Sequence, residues 1–254
     1  MVSLYAALAA DRIVFNSHYN RDTFLTGVAT LLAKLPDLVP GGVPERLTKK
    51  ARVLPVPLAP HEDANPDWPG TQGKYPERPL RLLWSGRLEH DKGGVGLLHI
   101  LEHLDIPFEL AVTGQQFRDT PSEFEQIKTR FSDRIVHFGY IESAAAYRAL
   151  QAAADMVLST ALHEYQGLAV LEAVAAGCLP VVPDRLAYRE LYPDSVRYPS
   201  QTDNAPAEAA GAVRLIRELA TLLAQGSAPG VEVAAFDQAA LAPVYRAELL
   251  ALAG

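Results

Sequence analysis

Leu80-Arg81-Leu82-Leu83-Trp84-Ser85-Gly86-Arg87-Leu88-Glu89-His90-Asp91-Lys92-Gly93-Gly94 is the stretch that decides the fold class. An apolar run of strand length ends in a small-residue turn, and a helix begins near the glycine pair. The alternation recurs along the chain, with strands expected at 80–85, 108–113, 134–138, 156–159, 179–182 and 196–198 and helices in every gap. Parallel strands joined by crossover helices, with both faces of the sheet covered, give that pattern. The fold class is therefore α/β, and residues 79–204 are expected to form one complete doubly wound, Rossmann-like domain.

On the N-terminal side the alternation breaks between residues 57 and 79, where Pro60, Pro66, Pro69, Gly70, Gly73 and Pro76 oppose regular structure. An interdomain linker making few contacts is expected over 59–78. Residues 1–58 read as helix (3–10), strand (12–15), helix (21–34) and strand (52–56), too little for an independent sheet domain. On the C-terminal side a helical region over 205–254, interrupted near 226–230, is expected to pack on the doubly wound domain. The absence of an internal repeat excludes solenoids and propellers.

Net charge is −7 and unevenly spread, with residues 1–58 at +3 and the remainder at −10. Arg46, Lys49, Lys50 and Arg52 could touch a polyanion, or belong to a solvated loop before a strand. No apolar run approaches the roughly 18 residues of a membrane span, and the first ten residues lack the flank and cleavage site of a signal peptide, so a cytoplasmic protein is expected. The one cysteine, Cys178, lies in an apolar stretch and reads as a buried small hydrophobe. A disulfide framework and a Cys-based metal site are both excluded.

Ligands of open α/β sheets sit at the carboxyl ends of the strands, so residues directly after strands come first. Gly86 and Arg87 follow the first strand, with Lys92 five positions beyond Arg87 at a helix start. Two cations there can hold a diphosphate and stabilise it as a leaving group, although loop cations are often no more than solvated charge. Ser159-Thr160-Ala161-Leu162-His163-Glu164-Tyr165-Gln166-Gly167-Leu168 leads into a helix over 169–176, where the amides of Gly167 and Leu168 favour an anion. Glu164 precedes that helix and Glu172 lies on it, so two carboxylates could meet different ends of an extended ligand with vicinal hydroxyls. Glu172 sits among Val170, Leu171, Ala173 and Val174, where an unpaired acid costs stability. Gly139 and Tyr140 end a third strand where a base could approach the backbone, and Gly114, after the strand at 108–113, joins His163 among the expected ligand-binding residues.

Competing motifs fail. Gly73-Lys74 lacks the rest of a P-loop, no strand enters a Gly-x-Gly-x-x-Gly turn, and His163-Glu164 has no histidine at 167. No Asp-x-Asp pair occurs, so neither a catalytic metal nor another cofactor is expected.

Arg87 with Lys92, and Glu164 with Glu172, resemble the arginine-four-lysine and glutamate-seven-glutamate motifs of retaining GT-B glycosyltransferases of family 4. The segments 8–17, 89–92 and 163–178 are further similar to the tRNA-queuosine mannosyltransferase family, a resemblance covering roughly residues 5–200. It implies a GDP-mannose donor, queuosine in tRNA as acceptor, and transfer with retention and without an enzyme nucleophile. By the same resemblance Arg87 and Lys92 would bind the diphosphate and Glu164 the sugar hydroxyls. Gly167 and Leu168 would meet phosphate or sugar, Glu172 the ribose, and Gly139 and Tyr140 the base.

The family's first domain should supply several strands before Leu4, so residues 1–58 are expected to be the last elements of an incomplete acceptor-side domain. The chain would then bind donor but transfer poorly, and an unpaired sheet edge could favour self-association. The alternatives are another nucleotide sugar with a lipid or saccharide acceptor, a noncatalytic nucleotide-sugar sensor, and a sugar-nucleotide epimerase.

Overall fold

The computed structural model describes residues 2–35, 41–59, 64–116 and 120–253. The chain divides into two compact units, Met1–Ala59 with Ala234–Gly254, and Pro60–Val233.

The smaller unit contains α1 (Val2–Ala9), β1 (Ile13–Phe15), α2 (His18–Ala33), α3 (Val43–Lys50) and β2 (Ala51–Val53). β1 and β2 pair in parallel, with Val14 opposite Arg52. Ser17 caps α2 by accepting from the Asn20 amide. Leu4 and Ala7 of α1, Val28 of α2, and Val43 and Leu47 of α3 form its core.

The expectation of a solvated basic loop before β2 is corrected here, because Arg46, Lys49 and Lys50 lie on α3. The Val43–Leu47 spacing buries one helical face, and Pro44 fits the first turn. Lys50 Nζ donates to the carbonyls of Ala7, Leu8 and Ala10 at 3.3, 2.8 and 2.6 Å, closing the C-terminal end of α1. Arg52 donates to the Lys49 and Ala51 carbonyls. Two of the four cations thus serve the backbone.

A C-terminal helix, Gln238–Ala253, also belongs to this unit. The Leu58 amide donates to Phe236 O at 2.8 Å, the Tyr245 hydroxyl to Pro55 O at 2.9 Å, and Arg12 pairs with Glu248 at 3.2 Å. The region 205–254 therefore does not act as one piece packed on the doubly wound domain. Its break after residue 224 lets the chain cross between units.

The larger unit holds β3 (Leu80–Ser85), α4 (Gly94–His103), β4 (Phe108–Thr113), α5 (Ser122–Arg130), β5 (Ile135–Gly139), α6 (Ala144–Ala153) and β6 (Met156–Leu158). It continues with α7 (Leu168–Ala175), β7 (Leu179–Pro183), α8 (Tyr188–Leu191), β8 (Arg197–Tyr198) and α9 (Ala205–Ala224). The strands form one sheet in the order β5-β4-β3-β6-β7-β8 with parallel pairings throughout. Leu82, Leu83, Leu110, Val112, Met156, Val157 and Val181 are fully buried, as strands covered on both faces require. α9 covers the sheet with Ala209, Ala212, Ile216 and Leu219, which recur at helical spacing. The strand order reverses between β3 and β6, which opens a crevice at their carboxyl ends.

The expected linker is corrected as well. Pro60 lies outside the described residues, but 64–78 packs on the sheet of the larger unit. Trp68 is 2% exposed, and its indole N–H donates to Glu109 at 2.7 Å. Glu109 also accepts from the Thr71 amide and hydroxyl, and its carboxyl is held below the usual range: burial pushes it up, but these three donors and the charge of Arg81 outweigh that. Arg78 meets Asp155 with two parallel hydrogen bonds of 2.7 and 2.9 Å. Proline and glycine oppose regular structure here without opposing packing.

Candidate functional site

Three loops meet at the carboxyl edge of β3, β4 and β5. The Gly86 amide donates to Thr113 O, and the Gly114 amide to Gly139 O, each at 3.0 Å. A Cβ added to Gly114 would lie 1.7 Å from the Gly86 carbonyl oxygen, so only glycine lets the first two loops meet backbone to backbone. Above them opens a cavity of about 400 Å³, walled by Gly86, Arg87, Gly114, Gln115, Tyr140 and Glu142 and floored by Ser85, Thr113 and Tyr147. The Tyr147 hydroxyl lies 2.7 Å from Ser85 Oγ. Burial, with the negative charge of Glu172 adding to it, pushes Tyr147 up to about 12 against the opposing hydrogen bond of Ser85. The floor therefore offers a neutral hydroxyl at physiological pH.

The cations stand beside this cavity in different states. Lys92 ends a short 3-10 helix, His90–Lys92, and its side chain is 15% exposed. Its ammonium donates to Glu164 Oε2 at 3.1 Å and to His163 O at 3.2 Å. Arg87 is half-exposed, paired with Glu89 at 2.7 Å, and shares Asp91 with Lys92, each at 3.7 Å. Lys92 is thus placed by its surroundings, whereas Arg87 can be turned toward a ligand by exchanging one anionic partner for another.

Backbone bonds fix the Lys92–Glu164 spacing. Asp91 O accepts from the amides of Leu162 and His163, and Thr160 Oγ1 donates to Lys92 O at 2.9 Å while accepting from the Trp84 indole at 3.1 Å. Buried Arg185 donates to the carbonyls of Thr160 and Ala161 and pairs with Glu208 at 2.7 Å. Beyond Glu164 the chain turns into α7 through Gly167 at φ +70°, with the Tyr188 ring against it. Leu168 opens α7 and half-buried Glu172 follows one turn on.

The residues singled out by sequence thus fall into connected groups. Lys92, His163 and Glu164 are in contact, Gly86, Arg87, Gly114 and Tyr140 line the cavity with Gly139 bonded to Gly114, and Gly167, Leu168 and Glu172 follow along α7. Ser85, Thr113, Gln115, Glu142 and Tyr147 were not singled out. Tyr147 carried a signal, being the one aromatic residue in the alanine-rich α6. Among the described residues no group of three or more His, Cys, Asp or Glu could hold a metal ion, and no helix is long and apolar enough to cross a membrane.

Residues 71–219 match the family described as glycosyl transferases group 1, and residues 1–58 match that described as tRNA-queuosine alpha-mannosyltransferase N-terminal. The chain is 34% identical over 208 residues to the tRNA-queuosine alpha-mannosyltransferase of Drosophila melanogaster, covering 80% of this chain and 54% of that protein. It therefore spans about half the length of this curated relative. Among solved structures, Anabaena Alr3699/HepE in complex with UDP and glucose superposes with a TM-score of 0.66 at 18% identity, over 98% of this chain and 66% of that one. The pneumococcal O-GlcNAc transferase GtfA in complex with UDP and GlcNAc gives 0.62 at 15% identity, over 97% and 46%.

Proposed function

The chain belongs to the glycosyl transferases group 1 family and has the GT-B fold, and from that premise we propose that it binds a nucleoside-diphosphate sugar at the β3–β6 crevice for glycosyl transfer. The observation that carries this reading is the 3.1 Å contact of Lys92 with Glu164 across 72 residues of sequence. In a nucleotide sugar the phosphate and the sugar hydroxyls flank one anomeric C–O bond. A cation and a carboxylate held side by side match those two chemistries at that separation.

In this reading Lys92 and Arg87 hold the diphosphate and stabilise the charge that grows on it as the anomeric bond breaks, each such bond contributing about 1.5–3 kcal/mol. The amides of Gly167 and Leu168 add to that anion site, and Glu164 accepts from sugar hydroxyls. Glu172 takes the ribose, and Tyr140 with Gly139 the base. No metal enters, since the two cations supply the counter-charge. Retention would follow from attack on the face the diphosphate leaves, with no enzyme nucleophile.

Mannose as the transferred sugar and queuosine in tRNA as acceptor are supported by the Drosophila relative and by the match over residues 1–58, and GDP is proposed as the carrier of that mannose. The described part of the smaller unit carries a two-stranded sheet, which favours a second reading, donor binding without transfer.

Calorimetric titration of the chain with GDP-mannose, GDP, UDP-glucose and UDP tests the donor. Preference for guanosine is expected in the wild type, with nucleotide binding lost in Arg87→Ala and Glu172→Ala. Uridine preference would overturn the GDP-mannose assignment, and no binding at all would overturn the site. Mannose incorporation into queuosine-containing tRNA by the same chain then separates transfer from donor binding alone.

A further inference from the structure

The cavity beside Arg87 carries opposite charges on its walls. Arg87 follows β3 and Glu142 follows β5, with β4 between, so their loops stand two strand spacings apart, about 10 Å. A nucleotide lying across the carboxyl edge with its phosphates at Arg87 brings its base to the loop of Tyr140 and Glu142. Glu142 is exposed on the cavity wall and makes no hydrogen bond or ion pair among the described residues. Tyr140, 67% exposed, offers a ring for stacking, which tolerates any base and so cannot choose one.

A carboxylate can only accept hydrogen bonds. Guanine presents N1–H and the N2 amino group side by side on one edge, two parallel donors that fit the two carboxylate oxygens. Uracil offers a single N–H between two carbonyl oxygens, both of which a carboxylate repels. Adenine and cytosine each set an amino group beside an acceptor nitrogen. Of the four bases only guanine matches this wall of the cavity.

We propose that Glu142 is the specificity-determining residue that selects guanine as the base of the donor nucleotide, accepting from N1–H and the N2 amino group. The proposal rests on the reading of the crevice as a donor site. It assigns the choice of base to a side chain distinct from the phosphate-holding cations and the α7 carboxylate.

The test is calorimetric titration of the 254-residue chain and of Glu142→Ala with GDP, inosine diphosphate and UDP. Inosine diphosphate keeps N1–H and lacks only the N2 amino group. The wild-type chain should favour GDP over inosine diphosphate by about tenfold or more, the worth of one hydrogen bond to a charged acceptor. In Glu142→Ala the GDP advantage over both competitors should fall to within about threefold, with UDP affinity changed by less than about threefold. The melting temperature of the variant should match the wild type, because Glu142 is exposed and bonds no neighbour among the described residues. A GDP advantage that persists in Glu142→Ala would overturn this assignment and leave the donor site standing. A preference of the wild-type chain for UDP would overturn this proposal and leave the donor site standing, whereas its failure to bind any nucleotide would overturn the donor reading and this proposal with it.

Discussion

Replacing Lys92 with alanine should weaken nucleoside-diphosphate binding about 10- to 150-fold. The range follows from a charge-assisted hydrogen bond worth about 1.5–3 kcal/mol net, with tenfold for each 1.4 kcal/mol. The bare attraction between unit charges 4 Å apart in a partly buried site is about 4 kcal/mol, which sets a ceiling. Two observations place Lys92 within the range. Its side chain is 15% exposed, so little solvent screening is lost to the ligand, and its ammonium is already held by Glu164 and His163 O, so little side-chain entropy remains to be lost. Glu164 competes with phosphate for the same ammonium, which pulls the expected value toward the lower end. Arg87, at 54% side-chain exposure, starts mobile and solvated, and its removal should cost less than that of Lys92. Calorimetric titration with GDP at two ionic strengths is the assay, with thermal melting to establish that the variant is folded. A folded Lys92→Ala variant that binds within about threefold of wild type would refute the placement of the diphosphate at Lys92.

Gly114→Ala should abolish nucleotide binding while leaving most secondary structure, because its Cβ would lie 1.7 Å from the Gly86 carbonyl and must drive the two loops apart; unaltered affinity in a folded variant would contradict the close approach. Glu109 titrates below its ordinary value of 4.5 in the folded chain, so the stability it contributes is present above that value and is lost as pH falls through the lower folded value. The melting temperature of wild type should therefore exceed that of Glu109→Gln at pH 7, and the gap should shrink on acidification below about pH 5; a gap that stays constant would show that Glu109 is not held low by Trp68 and Thr71.

The sequence by itself determined the strands of the larger unit to within a residue or two and the order of its helices. A strand buried on both faces must be apolar throughout, and such a run can be read locally at Leu80–Ser85 or Phe108–Thr113. The spacing of Arg87 with Lys92, and of Glu164 with Glu172, was equally visible, because each pair lies within one loop and helix. Tertiary structure alone decided which of these meet. Lys92 reaches Glu164 because β3 and β6 are neighbours in the sheet although α4, β4, α5, β5 and α6 lie between them in the chain. The fates of Trp68, Lys50 and the C-terminal helix belong to the same class. Proline-rich composition describes backbone freedom and is silent on whether an indole finds a carboxylate 41 residues away. A lysine that closes a helix end looks in sequence like one that meets solvent, until the carbonyls of Ala7, Leu8 and Ala10 are brought to it. Periodicity is set by which face of an element is buried; the partner that buries it is chosen by packing over the whole chain, where long-range contacts compete.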